Sequence, residues 1–376
     1  MSRLPVNANV LEWALADAGV SVDLAAEITG RTPDEVRQWM SPVGVNPHKG
    51  DLEKLARRVG RSMQFFFQSR PPAPSANVAR FRAAIEGSSR DPAAEIKAIR
   101  RATGIQKIVR WANSETNEFP PELPSPIEDP VEYAAILRRV LDWHTGIQTA
   151  SSSKSAVFKA LRARTELRGV SVLYLDAGAN NCRGFSLPDT QAPLIALNSQ
   201  YNLASLKSFT LLHELGHLAH GRAAVCHDPD TSEEQWCDNF AAAFMLPEAH
   251  LRAYMQFKQW EDVAPWNAHD RIRLISNRYK MSWQAVAIRL YRLGLTTQSV
   301  VDAVMSNSGE QNAGFSADGG RTRPVIRYDE YGSTVVRSVL ELREQHLINE
   351  FDARKRLNVN GDELSTLKDL ALSGHQ

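Results

Sequence analysis

The sequence is short of cysteine. It has three in 376 residues, an odd number in a long chain, which excludes the disulfide framework of a small secreted scaffold. Charge of one sign is also missing. Lys and Arg total 44 against 43 Asp and Glu, so the chain is neither a polybasic nucleic-acid coat nor an acidic solvating tail. No run approaches the roughly 18 apolar residues that a membrane helix needs. The opening MSRLPVNANVLEW lacks the apolar stretch of a secretory signal. Together these absences set the expectation of a cytoplasmic protein with no membrane partner. What is present, 43% hydrophobic and 23% charged residues, is ordinary globular composition. At ~150 residues per domain, the length implies two or three domains.

Turn and capping residues divide the chain. Within 1–70, Ser21 reads as an N-cap, Gly30 as a helix end, and Thr32-Pro33-Asp34-Glu35 as the start of the next helix. A further helix from Asp51 to Val59 carries Leu52, Leu55 and Val59 on one face, and Phe65-Phe66-Phe67 closes the unit. Short helices around a glycine turn form the pattern of a helix-turn-helix module. Residues 71–130 read as proline-rich linkers around a basic helical segment (Lys97, Arg100, Arg101, Lys107). From 131 to 296 we expect helices at about 131–144, 153–167, 203–221 and 232–245, with β-like runs Val170–Leu175, Gly184–Leu187 and Leu194–Leu197. The segment 269–293 reads either as a second helix-turn-helix-like unit or as helical packing. Residues 297–324 read as a flexible linker, rich in Ser, Gly, Asn and Asp from Ser306 to Pro324, and 325–376 as a small helical unit.

Five of the ten histidines (His213, His217, His220, His227, His250) fall within one short stretch. Inside it stands His213-Glu214-Leu215-Gly216-His217. Residues four apart share a helix face, so both imidazoles can hold one metal ion, and Glu214, one residue along, suits a general base. Such a set points to Zn2+ and to hydrolysis of a peptide bond. Gly216 belongs in such a helix only where another element approaches closely. The third ligand is not fixed by spacing. A metzincin needs glycine three residues and histidine six residues after His217, but His220 and Ala223 stand there. Asp228, Asp230, Glu233 and Glu234 are the candidates, and spacing does not choose between the last two. Thr231 with Glu234 also reads as a capping box.

The phrases SFTLLHELGHLAHG and EQWCDNFAAAFMLP, with the strand-like Pro193–Asn198 and Gly184-Phe185-Ser186, resemble the ImmA/IrrE metallopeptidase family over roughly 131–260. The resemblance implies an α+β, mostly helical fold: a zincin-like peptidase domain with a small three-stranded sheet, beside an N-terminal unit similar to Xre-type helix-turn-helix domains. It implies Glu234 as third ligand with His213 and His217, one catalytic Zn2+, and Glu214 as catalytic base. It further implies an endopeptidase that cuts one regulatory protein, a helix-turn-helix repressor, after stress such as DNA damage. The alternative is a transcriptional regulator or antitoxin whose peptidase-like domain only binds.

Secondary expectations attach to single residues. The strand Gly184–Leu187, expected beside the cleft, is either an exposed edge able to pair with an extended peptide or an ordinary half-buried strand. Cys182 is either a buried core thiol or an inhibitory ligand that fills zinc's fourth position. Cys226 with His227 is a candidate second metal pair. His220 and Arg222 are candidate oxyanion donors. In the N-terminal unit Arg37 and Gln38 are the candidate base-reading side chains. Nine Lys and Arg against eight Asp and Glu over residues 1–70 give little attraction for phosphates. Pairing with the substrate repressor, or homodimerisation, are further roles for this unit.

Overall fold

The computed structural model describes residues 3–72, 92–117, 123–221, 224–225, 231–306 and 321–373. Arg222, Cys226, His227, Asp228 and Asp230 lie outside these residues, as do 73–91 and 307–320. The chain divides into two compact units, one of residues 1–104 with 176–182, the other of 105–175 with 183–376. The C-terminal helices therefore fall in the same unit as the metal motif.

The first unit opens with α1 (Ala8–Asp17), α2 (Val22–Thr29), α3 (Pro33–Trp39) and α4 (Lys49–Val59), closed by a 3-10 turn at Met63–Phe67. The capping residues act as their chemistry predicts. Ser21 Oγ accepts Leu24 N–H, and Gly30 ends α2 in the left-handed region. At α3, Thr32 and Glu35 form a reciprocal capping box around Pro33. Val10, Leu11, Leu52, Leu55, Val59 and Phe66 are fully buried in the core of this unit. Asp17, itself buried, pairs with Arg61 at 3.2 Å and with Arg100. Arg100 belongs to α5 (Pro92–Thr116).

The second unit is built around a small sheet. After α6 (Pro130–Val140), α7 (Thr145–Ala150) and α8 (Lys154–Leu167) come β1 (Ser171–Leu175), β2 (Gly184–Leu187) and β3 (Leu194–Asn198). β3 lies between β1, to which it is parallel, and β2, to which it is antiparallel. A fourth strand, β4 (Ala224–Val225), pairs with β2 at Ser186 and Phe185. It adds to the three expected strands and is too short to leave a periodic signal. It also corrects the expectation that β2 is an exposed edge, because β4 takes up that side.

α9 (Ala204–Ala219) and α10 (Ser232–Met245) follow, then α11 (Glu248–Phe257), α12 (Ala268–Tyr279), α13 (Trp283–Arg292) and α14 (Gln298–Ser306). Leu211, Leu212 and Leu215 of α9 share a core with Phe240 and Phe244 of α10 and with Ile272, Ile275, Val286 and Leu290. The 269–293 segment, two helices joined by a short turn, packs into this core. The C-terminal helices are α15 (Arg323–Glu344), α16 (Glu350–Leu357) and α17 (Gly361–Ser373), with α15 kinked at Gly332. At the kink a buried pair, Arg162 Nε to Glu166 Oε1 at 3.0 Å, holds α15 to the sheet edge. Arg162 donates to Val172 O of β1 and to Asp329 O, while Glu166 accepts from Ser333 N and Oγ. No helix among the described residues is long and apolar enough to cross a membrane.

Candidate metal centre

The site forms where α9 and α10 pack together. Trp236, Phe240 and Phe244 lie one turn apart on α10, with successive ring centroids 5.6 and 6.2 Å apart, and Tyr133 of α6 packs 5.2 Å from the first two. Burying each such ring contributes ~1.5–3 kcal/mol, so this ladder sets how α10 lies. A Cβ on Gly216 would stand 2.8 Å from Cys237 Sγ, which accounts for glycine inside the metal motif.

With the helices so placed, Nε2 of His213 and His217 lie 3.1 Å apart. The Glu234 carboxylate faces both, Oε2 at 3.0 Å from His213 Nε2 and Oε1 at 3.2 Å from His217 Nε2. One donor atom from each of His213, His217 and Glu234 falls within 4.8 Å of the others. Two imidazole nitrogens and a carboxylate oxygen are a donor set suited to zinc, leaving a position for substrate or water. The residues fit the ion.

Both acids left open by spacing take part, in different places. Glu233 Oε1 lies 3.1 Å from the outer nitrogen of His217, Nδ1, while Glu234 faces the inner nitrogens. The capping box forms only by half. Thr231 Oγ1 accepts Glu234 N–H at 3.3 Å, but the Glu234 side chain turns to the histidines. Asp238, which the sequence reading passed over, lies with Oδ1 2.9 Å from His213 Nδ1. Its signal was present: it stands one helical turn after Glu234, on the same face.

The electrostatics match a cation site. Burial opposes charge on His213, but hydrogen bonds to Asp238 and Glu234 and the Glu214 charge outweigh it and push the imidazole up to about 10. His217 is buried too, yet its hydrogen bond to Glu234 and the Glu214 charge raise it. Burial would raise Glu234, but its bonds to the two imidazoles hold it down at about 2. Carboxylates that favour positive charge on the rings also favour a cation held between them.

Glu214 is fully buried beside the histidines. The start of β2 comes close to it. A Cβ on Gly184 would lie 3.3 Å from Glu214 Oε1 and 2.7 Å from Thr210 Cγ2. His220 donates Nδ1–H to Gly216 O at 2.9 Å, and its ring meets Trp236 edge-on at 4.6 Å. Cys182 is a buried thiol in the first unit and is not among the grouped metal-ligating atoms. Arg37 and Gln38 are exposed on α3, where Arg37 pairs with Asp34 at 2.5 Å.

Residues 165–291 match the profile of the IrrE N-terminal-like domain, Peptidase_M78. This match supports the ImmA/IrrE family for that region and a metallopeptidase-like function. No curated protein and no solved structure matches the chain significantly.

Proposed function

We propose that this chain is a zinc-dependent endopeptidase of narrow specificity that cleaves a regulatory protein, a helix-turn-helix repressor, in a stress or DNA-damage response. The observation that carries the reading is the convergence of His213, His217 and Glu234 beside the buried Glu214, within the region that matches the peptidase profile. The substrate class rests on the resemblance of the HELGH and EQWCDNFAAAFMLP segments to that family.

His213 and His217 present Nε2, and Glu234 a carboxylate oxygen, to the ion. Zinc supplies Lewis-acid chemistry, making water more acidic and the scissile carbonyl more electrophilic. The Glu214 carboxylate accepts the proton of the attacking water and delivers it to the nitrogen of the departing amine. Its burial excludes competing bulk water, and glycine at 184 keeps a side chain from crowding its Oε1.

Glu214→Gln separates chemistry from binding. The variant is expected to retain one zinc per chain, measured by elemental analysis, and to lose both cleavage and regulation in cells. Intact regulation by this variant contradicts the enzyme reading and favours a regulator that only binds.

A further inference from the structure

Three acids within six residues of α10 all face the two site histidines. Glu234 takes the inner nitrogens, while Glu233 and Asp238 take the outer ones, at 3.1 Å from His217 Nδ1 and 2.9 Å from His213 Nδ1. We propose that Glu233 and Asp238 are the positioning residues of the metal centre, each fixing the tautomer and orientation of one histidine. The inference rests on the metal-binding reading above and deepens it.

A neutral imidazole carries one N–H and one lone pair. A carboxylate at Nδ1 accepts the N–H there, so the lone pair is left on Nε2, the nitrogen that faces the shared centre. The same acceptor stops rotation of the ring and makes Nε2 a stronger donor. Either ring left to itself divides between two tautomers, one of which offers the ion an N–H. Both histidines are supplied with such an acceptor, and both acceptors come from the helix that carries Glu234.

The two contacts are not equal. His217 is 1% exposed with Glu233 at 21%, whereas Asp238 is 44% exposed. Water competes less at the buried contact, so Glu233 contributes more to metal affinity than Asp238. Glu233 also stands in the first turn of α10, where any acid favours the helix dipole. That merely structural role would change thermal stability and leave metal affinity alone.

The test uses the full-length protein, stripped by chelator and titrated with Zn2+ and with Co2+. Glu233→Ala and Asp238→Ala are expected to weaken Zn2+ binding by about 10- to 100-fold, Glu233→Ala by more. Glu233→Gln and Asp238→Asn, which retain an acceptor oxygen, recover part of that loss. The visible spectrum of bound Co2+ shifts in all four variants, because it reports ligand orientation. His217→Ala serves as the reference and binds no Zn2+. Alanine variants with wild-type affinity and an unchanged Co2+ spectrum, while His217→Ala fails to bind, overturn the positioning roles and leave the metal centre standing. Undiminished Zn2+ binding by His217→Ala overturns the metal reading itself.

Discussion

Gly216 and Cys237 meet where the two helices of the metal centre cross, so closely that a Cβ at 216 would come within 2.8 Å of the sulfur. Neither residue contributes a ligand, yet their contact sets how near α10, with Glu234, approaches His213 and His217. Gly216→Ala gains up to ~1 kcal/mol of helix propensity but overpacks a buried crossing at a cost of ~1–3 kcal/mol. The expected result is a less stable protein with weaker Zn2+ binding, and Cys237→Ala in the same chain restores part of both. Urea denaturation and Zn2+ titration measure the two effects.

A methyl group at position 184 crowds Thr210 and the Glu214 carboxylate, not the metal ligands. Gly184→Ala is therefore expected to lower the cleavage rate by about tenfold or more, equivalent to ~1.4 kcal/mol, with zinc content unchanged. Thr210→Ser, which removes the methyl nearest the new group, should return part of the rate.

The donor atoms are gathered only in the folded chain, so metal and stability are linked. Zinc at 1,000 times its Kd should stabilise the fold by ~4 kcal/mol, seen as a rise in Tm that chelator reverses. In His217→Ala the rise disappears. A Tm independent of zinc in the wild type contradicts the site.

Arg162 and Glu166 form a buried pair whose remaining bonds clasp α15 to β1. Glu166→Ala leaves the Arg162 guanidinium buried without its carboxylate and should cost ~3–5 kcal/mol. Replacing both, Arg162→Met with Glu166→Leu, should cost less than the single change. Equilibrium urea unfolding of the three proteins decides it.

Much of the fold was legible because local chemistry governs it. Ser21, Thr32 and Pro33 start helices wherever they stand, and the β-branched and apolar runs at 171–175 and 194–198 pair because both faces are covered. His213, Glu214 and His217 were legible because a helix fixes residues i, i+1 and i+4 relative to one another. Spacing did not separate Glu233 from Glu234, since adjacent helical residues differ only by a rotation whose zero is set by the packing of Trp236, Phe240 and Phe244; the resemblance alone singled out Glu234. Asp238 was within reach of the same argument, one turn beyond Glu234 on the same face, once Glu234 was taken as a ligand. The position of β2 depended on β4, a two-residue strand with no pattern of its own. The inclusion of 325–376 in the second unit rests on contacts distant in sequence, among them the Arg162–Glu166 clasp, which joins residues more than 160 apart.

The central claim is that the chain cuts a protein through Glu214. Mass spectrometry of new protein N-termini, in cells expressing wild type or Glu214→Ala, before and after DNA damage, tests it most directly. The account predicts one new N-terminus, within a helix-turn-helix repressor, present with wild type after damage and missing with the variant. The same set of N-termini from both proteins, with and without damage, would contradict it.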